Sequence, residues 1–150
     1  MKFSIEARLY LLLRIIVGIV FIWASWSKIY DPEGFARIVQ NYRILPSIFI
    51  HPFALVLPWV EMLCGIALIT GYLVKGSAMI INTLLIIFML SFIINMFRGI
   101  DVSCGCFSVS MEATTETYKY LIRELPLLIA GIWILYYRIK REKISSLKAI

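Results

Sequence analysis

The stretch Gly76–Phe97, GSAMIINTLLIIFMLSFIINMF, runs for 22 residues without one charged side chain. As a helix rising ~1.5 Å per residue it extends about 33 Å, close to the ~30 Å of hydrocarbon in a bilayer. Its apolar residues are continuous rather than alternating, which excludes a barrel strand. A helix, with every backbone hydrogen bond internal, is what remains. Working outward, Leu9–Ile29, Phe53–Val74 and Tyr120–Ile139 read the same way. The 150-residue chain is 61% hydrophobic, with a mean hydropathy of +0.89. A soluble domain of this size cannot hide so much apolar surface. The expected fold is all-α: a polytopic membrane protein, one domain over residues 1–150, built as a four-transmembrane-helix bundle.

Charge placement orients the bundle. The first span is expected to stay in place as a helix. Glu6, Arg8 and Arg14 interrupt its start, and WASWSK (residues 23–28) offers no small-residue cleavage site. With four spans, the N-terminus, the turn at Lys75 and the C-terminus share one side. That side carries Lys2, Arg8, Lys75 and the five basic residues from Arg138 to Lys148, against Glu6 and Glu142. Charges on the other side balance, so the whole net +6 falls on the first. The positive-inside rule then places both termini in the cytoplasm, with the protein in the inner (plasma) membrane. Contact with anionic lipid accounts for the excess, and nothing in it indicates nucleic acid.

Two outer connections hold most of the polar chemistry. After the turn signal Asp31-Pro32, apolar residues recur at Phe35, Ile38, Val39, Tyr42 and Leu45. This helical spacing predicts an amphipathic outer helix between the first two spans, ended before Pro46 and serving as a lid. The second connection, about Arg98 to Lys119, contains Asp101-Val-Ser-Cys104-Gly-Cys106-Phe107.

Several charges must lie at membrane depth. Only 13 uncharged residues separate Arg14 from Lys28, Glu61 from Lys75 and Glu124 from Arg138. Thirteen residues rise about 20 Å, too little to cross alone. Intramembrane charges face the bundle interior and find partners. We expect Lys28, Glu61 and Arg123, joined by Asp101, to form a buried cluster in the outer half. An ion pair fixing helix register and a catalytic role explain such a cluster equally well. Arg14 is expected to snorkel to the cytoplasmic face, and Gly65 and Gly71 to let helices approach closely. Trp26, Trp59, Trp133, Tyr136 and Tyr137 suit interfacial belts; a flat aromatic wall is also a surface for a quinone ring. His51, before Pro52, reads as a cap or surface residue. Cys64, one turn below Glu61, reads as a small core residue, with a relay to the outer cysteines as the sharper alternative.

Cys104 and Cys106 then face an exterior where disulfides persist. Gly105 frees the backbone to bring the two side chains together, and so small a ring is strained, hence labile. Three readings stay open: thiol/disulfide exchange with an extracytoplasmic thiol or disulfide protein, a permanent loop staple, and a metal site. A short loop gains little from closure, and no dense Cys/His array completes a metal shell. Exchange comes first on these grounds.

FIWASWSKIYDPEGFARIVQNYRILP, LPWVEMLCGIALITG, DVSCGCF and YLIRELPLL, in this order, resemble the MauE branch of the DoxX-like integral membrane proteins, over roughly Val17 to Gly131. The motif positions are Lys28, Asp31, Pro46, Glu61, Cys104, Cys106 and Arg123; Ser108 departs from the Gly common after Cys-Gly-Cys-Phe. The resemblance implies a four-helix bundle tied to thiol or sulfur redox chemistry outside the cytoplasm. It links the MauE branch to methylamine utilization, where a dehydrogenase subunit needs many disulfides, and DoxD relatives to thiosulfate:quinone oxidoreductases. Exchange would run through Cys104 and Cys106, one attacking and the other resolving. To turn over as an oxidase the pair needs an electron acceptor, for which a membrane quinone is the natural candidate. The alternative is a non-enzymatic assembly or accessory subunit whose Cys-Gly-Cys holds a docking loop.

Overall fold

The computed structural model describes residues 2–98 and 117–147, and all regular structure among them is helical. Five helices follow in order: α1 (Lys2–Tyr30), α2 (Pro32–Asn41), α3 (Ser47–Thr70), α4 (Val74–Phe97) and α5 (Thr117–Leu147). Three are long and apolar enough to cross a membrane, over Ile5–Tyr30, Ser47–Thr70 and Val74–Phe97. The fourth expected span, about residues 120–139, falls within α5.

Helices overrun the apolar stretches because polar residues do not stop a helix once its core is formed. α1 begins at Lys2 rather than Leu9, and α3 begins at Ser47, before Phe53. Pro52 sits inside α3. There it removes only a bond to Ile48, whose turn is exposed. The sharp breaks have local causes. Asp31 caps α2: its Oδ1 accepts the Gly34 N–H at 2.9 Å, and Pro32 fills the first helical position. Gly71 ends α3 with φ +84°, its N–H donating to the Ala67 carbonyl at 3.0 Å. Gly71 therefore ends α3, and it also lies close against the Arg14 guanidinium of α1.

α1 and α3 form the most extensive seam, α4 packs on α5, and α2 packs on α3. Gly65 is the close point of the first seam: a Cβ there would lie 2.9 Å from the Gly18 carbonyl oxygen. The main core gathers Val17, Phe21, Leu68, Ile81, Leu85 and Ile134. A second cluster joins Phe35, Ala36 and Val39 of α2 to Ile50, Ala54 and Leu57 of α3. α2 turns Glu33, Arg37 and Gln40 outward and buries the other face. The outward face of α1, by contrast, is Leu9, Leu12, Ile16, Ile19, Trp23 and Trp26, all exposed. An apolar surface that long suits lipid rather than water.

Candidate functional site

Lys28 is two residues from the end of α1, and Glu61 lies in the third quarter of α3. Because the helices run antiparallel, the two side chains meet. Lys28 Nζ donates to Glu61 Oε2 at 2.7 Å and to Oε1 at 3.0 Å. The side chains are 2% and 3% exposed. α3 continues 14 residues beyond Glu61 toward Ser47, well past the end of α1. α2 fills that step and roofs the pair. The ammonium lies 5.1 Å from the Phe35 ring centre and 5.5 Å from that of Phe88, close enough for cation–π attraction in a desolvated setting. An ion pair this buried is held in place by geometry, since any departure of one partner strands the other charge.

A small cavity of about 30 Å³ adjoins the pair, walled by Phe21, Leu84, Phe88 and Leu127. It has room for a single water. Glu124 of α5, 4% exposed, lines the same cavity. Three helices thus bring one ammonium and two carboxylates to one small space. Sequence reasoning placed both Arg123 and Glu124 at this depth but chose Arg123 for the cluster. Glu124 shares the inward stripe of α5 with half-buried Leu127 and buried Gly131 and Ile134, at three-, seven- and ten-residue spacings. That register was the available signal. Arg123 is in α5, and its side chain lies outside what is described, as do Asp101, Cys104 and Cys106.

The remaining candidates separate cleanly. Cys64 is buried among the main core. Arg14 Nη2 donates to the Ile69 carbonyl at 3.3 Å, placing its charge at the carbonyl-rich end of α3. His51 is exposed, in a surface hollow with Glu33, Arg37 and Gln40. Trp26 and Trp59 face outward. Trp133 instead stacks on Tyr137 with ring centres 5.5 Å apart, and Tyr137 meets Tyr10 at 4.8 Å. Asn82 and Asn95 are buried polar groups of α4 that its uncharged run conceals. Their amides were the only sequence signal.

Comparison with known families matches residues 6–137 to the one described as methylamine utilisation protein MauE. The chain belongs to the MauE family. It is 35% identical over 106 residues to the methylamine utilization protein MauE of Paracoccus denitrificans, covering 70% of this chain and 57% of that protein. The MauE of Methylophilus methylotrophus is 34% identical over 91 residues, 60% of this chain and 48% of that protein. The MauE of Methylorubrum extorquens is 32% identical over 90 residues, with shares of 59% and 48%. The chain thus spans about half the length of the curated MauE relatives it matches. No solved structure matches it. MauE membership and the long apolar helices together make this a multi-pass membrane protein.

Proposed function

We propose that this MauE-family chain is an inner-membrane accessory protein of methylamine utilisation that exchanges disulfides with an extracytoplasmic protein through Cys104 and Cys106. In this reading α1, α3, α4 and α5 all span the bilayer, both termini are cytoplasmic, and α2 is the amphipathic helix of the outer face. The observation that carries it is the buried Lys28–Glu61 pair beneath α2. It fixes the end of the bundle from which the Cys-Gly-Cys segment departs, since that segment links the end of α4 to the start of α5. A buried charge pair near the end of the bundle where that segment begins suits exchange, in which one thiolate attacks a partner sulfur and the other resolves the mixed disulfide. A quinone of the membrane would receive the electrons when the pair acts as an oxidase.

The test is partner capture in cells. Cys104→Ser or Cys106→Ser should leave one unresolved sulfur and accumulate a mixed disulfide with an extracytoplasmic protein, visible on non-reducing gels. A wild-type pair that is always oxidised, with neither variant capturing a partner, would instead establish the accessory subunit with a structural staple.

A further inference from the structure

Where α2 lies along the start of α3, a polar hollow of about 270 Å³ opens on the surface. Buried Ala36 and Ile50 form its floor. Exposed Glu33, Arg37 and Gln40 line it from α2, and exposed Ser47 and His51 line it from α3. Arg37 Nη2 lies 3.9 Å from Glu33 Oε2, and the two side chains are 60% and 84% exposed. A contact that long and that wet is worth little, so most of the guanidinium N–H donors stay available. His51 carries a ring N–H in either protonation state. The hollow thus offers several donors to an anion and, at Glu33, one carboxylate to a cation. Glu33 and Arg37 stand one turn apart on α2, ~5.4 Å along its axis. Below His51, α3 continues as an exposed apolar lane through Leu55, Trp59 and Ile66, at spacings that keep them on one side of the helix. With α2 on the outer face, the hollow lies at headgroup level and the lane runs down into hydrocarbon.

We propose that this hollow binds the headgroup of a phospholipid carrying a primary ammonium, of the phosphatidylethanolamine class, from the outer leaflet. Arg37 grips the phosphate, since a guanidinium meets phosphate oxygens with two parallel hydrogen bonds. His51 and Gln40 add donors to the same group. Glu33 accepts the ammonium, which only two methylene groups separate from the phosphate, a span that suits side chains one helical turn apart. An acyl chain then lies along Leu55, Trp59 and Ile66. Charge complementarity selects this occupant. A free phosphate leaves Glu33 and the lane unused, a choline ammonium has no N–H for Glu33, and a glycerol headgroup has no cation. A lipid gripped by both helices ties α2 down over the Lys28–Glu61 pair. The inference takes from the proposed function only the outer placement of α2, and nothing from the sulfur exchange.

The test titrates the full chain, purified in mild detergent and stripped of lipid, with phosphatidylethanolamine and counts bound lipid by native mass spectrometry. One lipid per chain should bind saturably, about tenfold or more tightly than phosphatidylcholine or phosphatidylglycerol with the same acyl chains. Arg37→Gln should weaken that binding about tenfold. Glu33→Gln should erase the preference for the ethanolamine over the glycerol headgroup. Arg141→Gln, exposed near the far end of α5, should change neither. Equal binding of the three lipids to the wild type would overturn the proposal, as would wild-type affinity and selectivity in Arg37→Gln and Glu33→Gln. Full competition by inorganic phosphate would also overturn it, by making the hollow a simple anion site. So would an Arg37→Gln protein that keeps its lipid affinity but no longer yields the captured partner, which would make the hollow a protein-docking surface. Partner capture by the single-cysteine variants is scored separately, so the exchange reading and the lipid site can each fail without the other.

Discussion

Replacing Lys28 by methionine keeps the length of its stem between Phe35 and Phe88 but removes the charge. At 2.7 Å the Lys28–Glu61 attraction is roughly 6 kcal/mol at an effective dielectric of ~20. Much of that offsets the cost of taking both groups out of water, so the pair contributes far less net stability than its Coulomb energy. Removing one partner strands the other, at a cost of about 3–5 kcal/mol. Lys28→Met and Glu61→Met should each destabilise by that amount, whereas the two combined should recover most of it. The assay is equilibrium unfolding of the purified protein in mixed micelles, following loss of helical circular dichroism as SDS replaces the mild detergent. A single variant within ~1 kcal/mol of wild type, or a double variant as unstable as the two singles added, would refute the reasoning, because uncoupled sites add.

Gly65→Ala should cost about 1–3 kcal/mol, because its Cβ would meet the Gly18 carbonyl oxygen and Ile22 Cγ1, both at 2.9 Å; the same SDS titration reads it. Two other glycines should respond with opposite signs. Gly71→Ala forces a Cβ into a φ of +84° and to 3.1 Å from the Arg14 guanidinium, costing about 1 kcal/mol or more. Gly76→Ala meets nothing within 4 Å inside α4 and should be neutral or stabilise by roughly 0.5–1 kcal/mol. Asp31→Ala removes the cap of α2 and should cost about 1 kcal/mol, with faster amide exchange confined to Glu33–Phe35.

Three of the spans, those in α1, α3 and α4, were legible because lipid imposes a simple constraint: uninterrupted apolar length, with charges only where partners exist. That constraint also flagged Glu61, since the 13 residues between it and Lys75 are too few to cross. The burial of Phe35, Ile38, Val39 and Tyr42 follows the apolar spacing of their segment. Glu124 was harder to read, because only the packing of α5 against its partners decides which face of that helix turns inward. The helix-ending role of Gly71 was not legible, because a glycine at a close helix contact and one ending a helix look alike in sequence. The small cavity beside Lys28 and Glu61 was illegible for a deeper reason: its walls come from α1, α3, α4 and α5, and no spacing along one segment encodes space between four. The sulfur pair was read from sequence alone, since Cys104 and Cys106 lie beyond the described residues.

The most direct measurement is the redox state and sidedness of Cys104 and Cys106 in intact cells, read by mass-tagging with a membrane-impermeant maleimide before and after mild reduction. The account predicts that both sulfurs are reached from outside and are divided between dithiol and disulfide, in a ratio that shifts when external thiol is added. Labelling only after the cells are permeabilised, or a bond that never opens, would contradict it.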